Sequence, residues 1–153
     1  MSDIDRTDRK ILKLLQEDGR ITTVDLADRI GLSPTATSER LKRLFREQYV
    51  TGFRAMLDPA KLGRGLLVFV EVSLDKTTPD VFERFAAAVR RSPEVMEGHM
   101  VAGGFDYLVK TRVGDMAAYR HFLGEILLSL PGVKETRTYA VMEEVKTDGL
   151  LPV

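Results

Sequence analysis

Two short stretches of this chain have side chains that could do chemistry. Between Thr35 and Arg46, the cations Arg40, Lys42, Arg43 and Arg46 stand with the hydroxyls of Thr35 and Ser38 and the carboxylate of Glu39. These are the groups that meet phosphate oxygens and base edges. Wound at about 100° per residue, the segment puts Thr37, Leu41, Leu44 and Phe45 on one side. Thr35, Glu39, Lys42, Arg43 and Arg46 fall opposite, with Ser38 and Arg40 at the flanks. A solvated charged face has the same composition, so the turn ahead of the segment has to decide between the two. The second stretch is Gly103-Gly104-Phe105-Asp106. Its backbone N–H groups can take a carboxylate and Asp106 an ammonium, which suits a small amino compound. A loop that merely turns a hairpin would carry the same residues.

Other chemistry lacks its residues. The chain has no cysteine, hence no disulfide framework, no thiolate nucleophile and no cysteine-based metal site. The two histidines, His99 and His121, fall in an expected strand and an expected helix, outside any Ser/His/Asp spacing or paired-ligand spacing. No Lys-Ser/Thr follows Gly103-Gly104 at phosphate-loop distance. No catalytic residue, metal or cofactor is therefore expected.

The elements that must position the two stretches differ in kind. Residues 1–52 carry 10 basic and 9 acidic side chains and almost no β-branched alternation; residues 53–153 carry 13 and 14 and contain clear strand patterns. Two domains are expected, 1–58 and 66–153, joined by a linker over 59–65 where Pro59, Gly63 and Gly65 cluster. In the first, Asp5 caps a helix striped by Ile11, Leu12, Leu14 and Leu15, with Gly19 as its stop. Thr22 and Asp25 resemble a capping box for a second helix, which Gly31 ends. Ser33 as N-cap and Pro34 at the first helical position open a third helix running to about Gln48. Ala27-x-x-x-Gly31 and the tight turn before the third helix describe a helix-turn-helix, in which a small residue lets the helices approach. The same spacing fits a plain three-helix bundle. A short hairpin or extended exit strand follows over 49–57.

The second domain reads βαββαβ. Strands are expected over 66–74, 95–101, 107–113 and 133–145. Helices open at Thr78-Pro79 and at Asp115, the latter turning Met116, Tyr119, Leu123, Ile126, Leu127 and Leu130 inward. The fold class is thus α+β, a winged helix-turn-helix joined to a ferredoxin-like domain. Large residues in both registers of the first and last strands predict that the sheet's uncovered face packs on a partner subunit.

With 153 residues and 44% hydrophobic content, the chain can bury a real core. No apolar run approaches a membrane span, and the first residues lack the pattern of a signal peptide, so a cytoplasmic protein without a membrane partner is expected. Basic and acidic residues balance at 23 each, which excludes a protein that holds nucleic acid by bulk charge alone. From Leu32 to Arg46 there are four basic residues and one acid, so the positive charge is concentrated on the third helix.

Several words of the sequence resemble one family: Asp5-x-x-Asp8-x-x-Ile11-Leu12, Gln16-x-Asp18-Gly19-Arg20, Gly31-Leu32-Ser33-Pro34-Thr35 and Arg40-Leu41-x-Arg43-Leu44. In the second domain they are joined by Phe105-Asp106-Tyr107-Leu108-x-Lys110, Leu130-Pro131-Gly132-Val133 and Thr136-Arg137-Thr138-Tyr139-x-Val141-Met142-Glu143-Glu144. Together they resemble the Lrp/AsnC, or feast/famine, transcription regulators over essentially the whole chain. The resemblance implies a sequence-specific regulator bound to double-stranded DNA and associated with the nucleoid, built as a homodimer assembling to an octamer. An amino-acid effector, leucine or another apolar one, would bind between subunits. By position, DNA contacts are expected from Arg20, Ser33, Thr35, Ser38, Glu39, Arg40, Lys42, Arg43 and Arg46. Effector contacts are expected from Val68, Met100, Gly103, Gly104, Phe105, Asp106, Met116, Tyr139, Ala140 and Val141. The family commonly has an acid where Gly104 stands and a valine where Ala140 stands; both departures remove charge or bulk beside the pocket. Two other readings are a local activator of one amino-acid catabolic operon, and a metabolite-binding enzyme subunit built on the second domain.

Overall fold

A computed structural model describes residues 4–153. The chain divides into two compact units, Met1–Met56 with Lys146–Val153, and Leu57–Val145. The expected boundaries assign the whole C-terminal tail to the second domain. In the structure the side-chain amide of Gln16 accepts from the Leu151 N–H at 2.7 Å and donates to its carbonyl at 3.0 Å.

The first unit holds α1 (Arg6–Glu17), α2 (Thr23–Ile30) and α3 (Pro34–Arg46). Each begins where a short polar side chain satisfies an orphan N–H. Asp5 and Asp8 form a reciprocal capping box, Thr22 Oγ1 accepts from Asp25, and Ser33 Oγ accepts from Ala36. Ile11, Leu12, Leu26 and Leu44 close the core. Gly31 ends α2 in the left-handed conformation (φ 74°), and Ala27 and Thr37 are completely buried where helices meet. Beyond Arg46 no strand pairs over residues 49–57; the segment carries no regular structure, and the Phe53 ring meets Phe45 edge-on at 6.0 Å. No second β-rich run lies near enough to return as its hairpin partner.

The second unit is a four-stranded antiparallel sheet in the order β2-β3-β1-β4, formed by β1 (Leu66–Leu74), β2 (Val95–Met100), β3 (Tyr107–Val113) and β4 (Val133–Ala140). Helices α4 (Pro79–Arg91) and α5 (Met116–His121) supply Val81, Phe85 and Tyr119 to a core with Val68, Val70, Val72, Tyr107 and Val109. This is the expected ferredoxin-like arrangement. Three details differ. The fourth strand stops at Ala140, not Val145, because the Val141 N–H reaches the Leu67 carbonyl at 2.9 Å and β1 begins at Leu66, leaving no further partner. The second strand likewise ends one residue early, at Met100. After α5 the chain continues as one π turn (Phe122–Ile126) and a 3₁₀ turn. Tyr119 and Leu127 are buried and Leu123, Ile126 and Leu130 pack against the core as expected, Phe122 is buried with them, and Met116, expected inward, is exposed.

Candidate functional site

On α3 the expected outward face divides. Thr35, Glu39, Lys42 and Arg46 are exposed and Ser38 half-buried. Lys42 Nζ lies 3.0 Å from Glu39, but both side chains are 68% exposed, a pairing worth little in water. Ser33 uses its hydroxyl as the helix cap, and Arg20 is exposed between α1 and α2, its backbone N–H held by Asp18.

Arg40 and Arg43 depart from the expected outward set. Arg40 Nη1 donates to Asp5 Oδ2 at 2.7 Å and to Asp8 Oδ1 at 2.8 Å; Arg43 Nη2 donates to Asp8 Oδ2. Both arginine side chains are only 31% exposed, and that of Asp8 is 1% exposed. The wheel places Arg43 opposite the core, yet a guanidinium on a long stem reaches sideways to the first turn of α1. Asp8, outside the expected site residues, holds both arginines. Its signal was the Asp5-x-x-Asp8 spacing, a capping box whose second acid is left one oxygen free for an arginine.

Burial pushes the Asp8 carboxyl up, but hydrogen bonds from Arg43, Arg40 and the Asp5 backbone outweigh it and hold its pKa below the ordinary value. A carboxyl with a depressed folded-state pKa contributes stability that is complete above the unfolded value, about 4, and is lost as pH falls through the folded one. The melting temperature should therefore fall steeply below about pH 4. In Asp8→Asn, melted over the same range, that part of the slope should be missing; an unaltered slope would show that Asp8 gains nothing from its ionised state.

The effector set occupies two places. At the C-terminal end of β1 the Asp106 N–H donates to the Val72 carbonyl at 3.0 Å, and Asp106 Oδ2 accepts from the Leu74 N–H at 2.7 Å. Gly103, Gly104 and Phe105 lead into this anchor, and Met100 lies beside it, opposite Tyr107. Gly104 and Phe105 border a shallow polar groove with Glu71, Ser73, Glu135, Thr136 and Arg137. At the other end of β1, Val68 pairs with Ala140, and Val141 and Met116 follow at the adjoining strand ends. Val68 is wholly buried in the core. Four residues of strand, about 13 Å, separate Val68 from Val72. Tyr139 sits on the face away from the helices, where its hydroxyl donates to Glu71 Oε1 at 2.9 Å. A single subunit does not gather these ten residues into one pocket.

His99 contacts Glu97 at 3.3 Å on the surface and His121 is exposed. Among the described residues no group of three or more His, Asp or Glu could hold a metal ion, and no helix is long and apolar enough to cross a membrane.

Two families match the chain in succession. The family described as "Lrp/AsnC ligand binding domain" matches residues 67–151, and "Winged helix-turn-helix DNA-binding" matches 4–51. The leucine-responsive regulatory proteins of Salmonella typhimurium and Escherichia coli K12 are each 56% identical over 151 residues, 99% of this chain and 92% of theirs. Among solved structures, a transcriptional regulator from Neisseria meningitidis in complex with L-Met superposes with a TM-score of 0.93 at 41% identity, covering 98% of this chain and 97% of that one. An AsnC family transcriptional regulator from Agrobacterium tumefaciens superposes at 0.92 with 33% identity, covering 97% of each chain. These relatives are regulators of transcription, which removes the enzyme-subunit reading. A capped helix-turn-helix followed by a ferredoxin-like domain, matched by both families in that order, places this chain in the Lrp/AsnC family of transcription regulators.

Proposed function

We propose that this chain is a sequence-specific transcription regulator acting on chromosomal DNA in the nucleoid, whose activity is set by an apolar amino acid bound between copies of the chain. The observation that carries the second half is the separation of the effector set. The loop that can hold the ligand's ammonium and carboxylate lies at one end of β1, and Met116, Ala140 and Val141 at the other, so a complete pocket needs the loop of one copy beside the strand ends of another. The open sheet face supports assembly: Phe69 and Leu108 lie on it among the ion pairs Lys110–Glu97 and Arg137–Glu71. A second copy covers such a face by symmetry, giving a homodimer, and contacts through the loops build dimers into an octamer. Methionine and leucine are the leading effectors. The Neisseria relative is complexed with L-Met, other relatives are named for leucine, and the methionine side chains at positions 100 and 116 adapt to several apolar shapes.

Two measurements test the reading. In a thermal-shift screen of the common amino acids, methionine or leucine should raise the melting temperature, because a ligand preferring the native assembly stabilises it. If no amino acid shifts it, the effector half falls. For the DNA half, Lys42→Ala/Arg46→Ala should weaken binding to a duplex selected from a random-sequence pool. The slope of log affinity against log salt should drop by about two, one per lost phosphate contact. An unchanged slope would remove α3 as the DNA-facing helix. Arg43→Ala, the simplest choice from the helix wheel, is a poor probe because it strips a partner from buried Asp8.

A further inference from the structure

The recognition helix carries four cations, and two of them are already spoken for. Arg40 bridges Asp5 and Asp8, and Arg43 closes on the second oxygen of Asp8. The acids themselves are fixed: the Asp5 N–H donates to Asp8 Oδ2 at 3.1 Å and the Asp8 N–H to Asp5 Oδ1 at 2.8 Å, so neither can swing away without uncapping α1. Asp8 also lies buried at the foot of the cluster, where its charge is poorly screened. Lys42 and Arg46 stand further out: Lys42 Nζ lies 3.0 Å from Glu39 with both side chains 68% exposed, and the Arg46 side chain, 3.9 Å from Glu47, is 73% exposed.

We propose that Asp8, with Asp5, is a positioning residue that withholds Arg40 and Arg43 from the DNA backbone and so sets the discrimination between specific and non-specific DNA. The inference rests on α3 being the DNA-facing helix. Phosphate contacts supply the sequence-independent part of affinity, and each extra free cation strengthens it on every duplex alike. Since non-specific sites vastly outnumber operators, a regulator gains by keeping surplus cations neutralised and letting a few side chains read bases. The same two ion pairs clamp the flank of α3 to the first turn of α1, fixing which residues of α3 point outward.

The test uses the full-length protein and a mixed-sequence DNA duplex. Asp8→Asn should bind this duplex more tightly than the parent. Its log–log salt slope should be steeper by about one for each freed guanidinium, which deepens the loss between 50 and 200 mM salt by about three- to fourfold per cation. Adding Arg43→Gln should bring the slope back toward the parent value. A merely structural role for Asp8 would weaken binding and leave the slope level or shallower. Should Asp8→Asn fail to fold, Asp5→Asn decides: Asp5 is half exposed, and its loss leaves Arg40 held by Asp8 alone, so the slope should steepen by less than one without an unpaired group being buried. A steeper slope in that variant supports the inference. An unchanged or shallower slope in a folded acid variant overturns it while leaving the DNA face intact, provided Lys42→Ala/Arg46→Ala still loses slope. If the lysine–arginine variant loses none, the face itself is wrong and the inference goes with it.

Discussion

Asp106→Asn is expected to weaken binding of the amino-acid effector by roughly ten- to a hundredfold, with DNA binding retained. The carboxylate does two jobs that this substitution separates. One oxygen accepts the Leu74 N–H at 2.7 Å and so pins the Gly103–Phe105 loop to the end of β1. An asparagine carbonyl can take that same bond, so the loop keeps its place. What it cannot supply is the negative charge opposite the ligand's ammonium, and charge-assisted hydrogen bonds are about twice as strong as neutral ones. Losing one is worth about 1.5 to 3 kcal/mol, or roughly ten- to a hundredfold in effector affinity. Asp106→Ala should lose both jobs, adding a loosened loop and a lower melting temperature to the binding defect. Calorimetry with methionine and leucine measures the first effect, and fluorescence anisotropy on the selected duplex checks the retained function. Were Asp106→Asn to bind effector as tightly as the parent, Asp106 would be a loop anchor alone.

The features legible in the sequence are those decided within a few residues. Asp5, Ser33 and Asp115 announce their helices because a cap is a bond from one side chain to an N–H three positions on. The β1 and β3 bounds follow from alternation that a buried antiparallel strand imposes on its own residues. Thr22 half-fulfils its expected box: Asp25 takes the Thr22 hydroxyl at 2.6 Å. What escaped depends on partners far along the chain. The end of β4 is set by where β1 begins, some seventy residues earlier. Arg43 turns aside because Asp8, thirty-five residues before it, offers a buried carboxylate; a wheel drawn for α3 alone has no means of showing that. In the effector set, the family resemblance proposes residues one by one, and their division between the two ends of β1 follows only from the sheet register.

That division leads to the last expected result: two variants, each showing little response at effector concentrations that only just saturate the parent, should regain a response when mixed. Asp106→Asn removes the charge of the loop end and leaves the strand-end half intact. Met116→Glu does the reverse. Met116 is the first residue of α5, half exposed, and an acid in the first turn suits the helix dipole, so the fold should tolerate it. A carboxylate there would nonetheless confront an apolar side chain entering the pocket, and burying it unpaired is costly. In random mixed assemblies each pocket draws its loop from one copy and its strand ends from another. One of the four combinations is sound at both ends, so about a quarter of the pockets recover in an equal mixture. The mixture should be exchanged in mild denaturant, refolded and titrated by calorimetry against the two pure variants. If every pocket lay within one subunit, mixing would recover nothing, and a titration as flat as those of the pure variants would sink the shared-pocket arrangement. A recovered stoichiometry near one quarter would instead show that the effector is read only where two copies meet, which ties the amino-acid signal to assembly through the ligand's preference for the associated state.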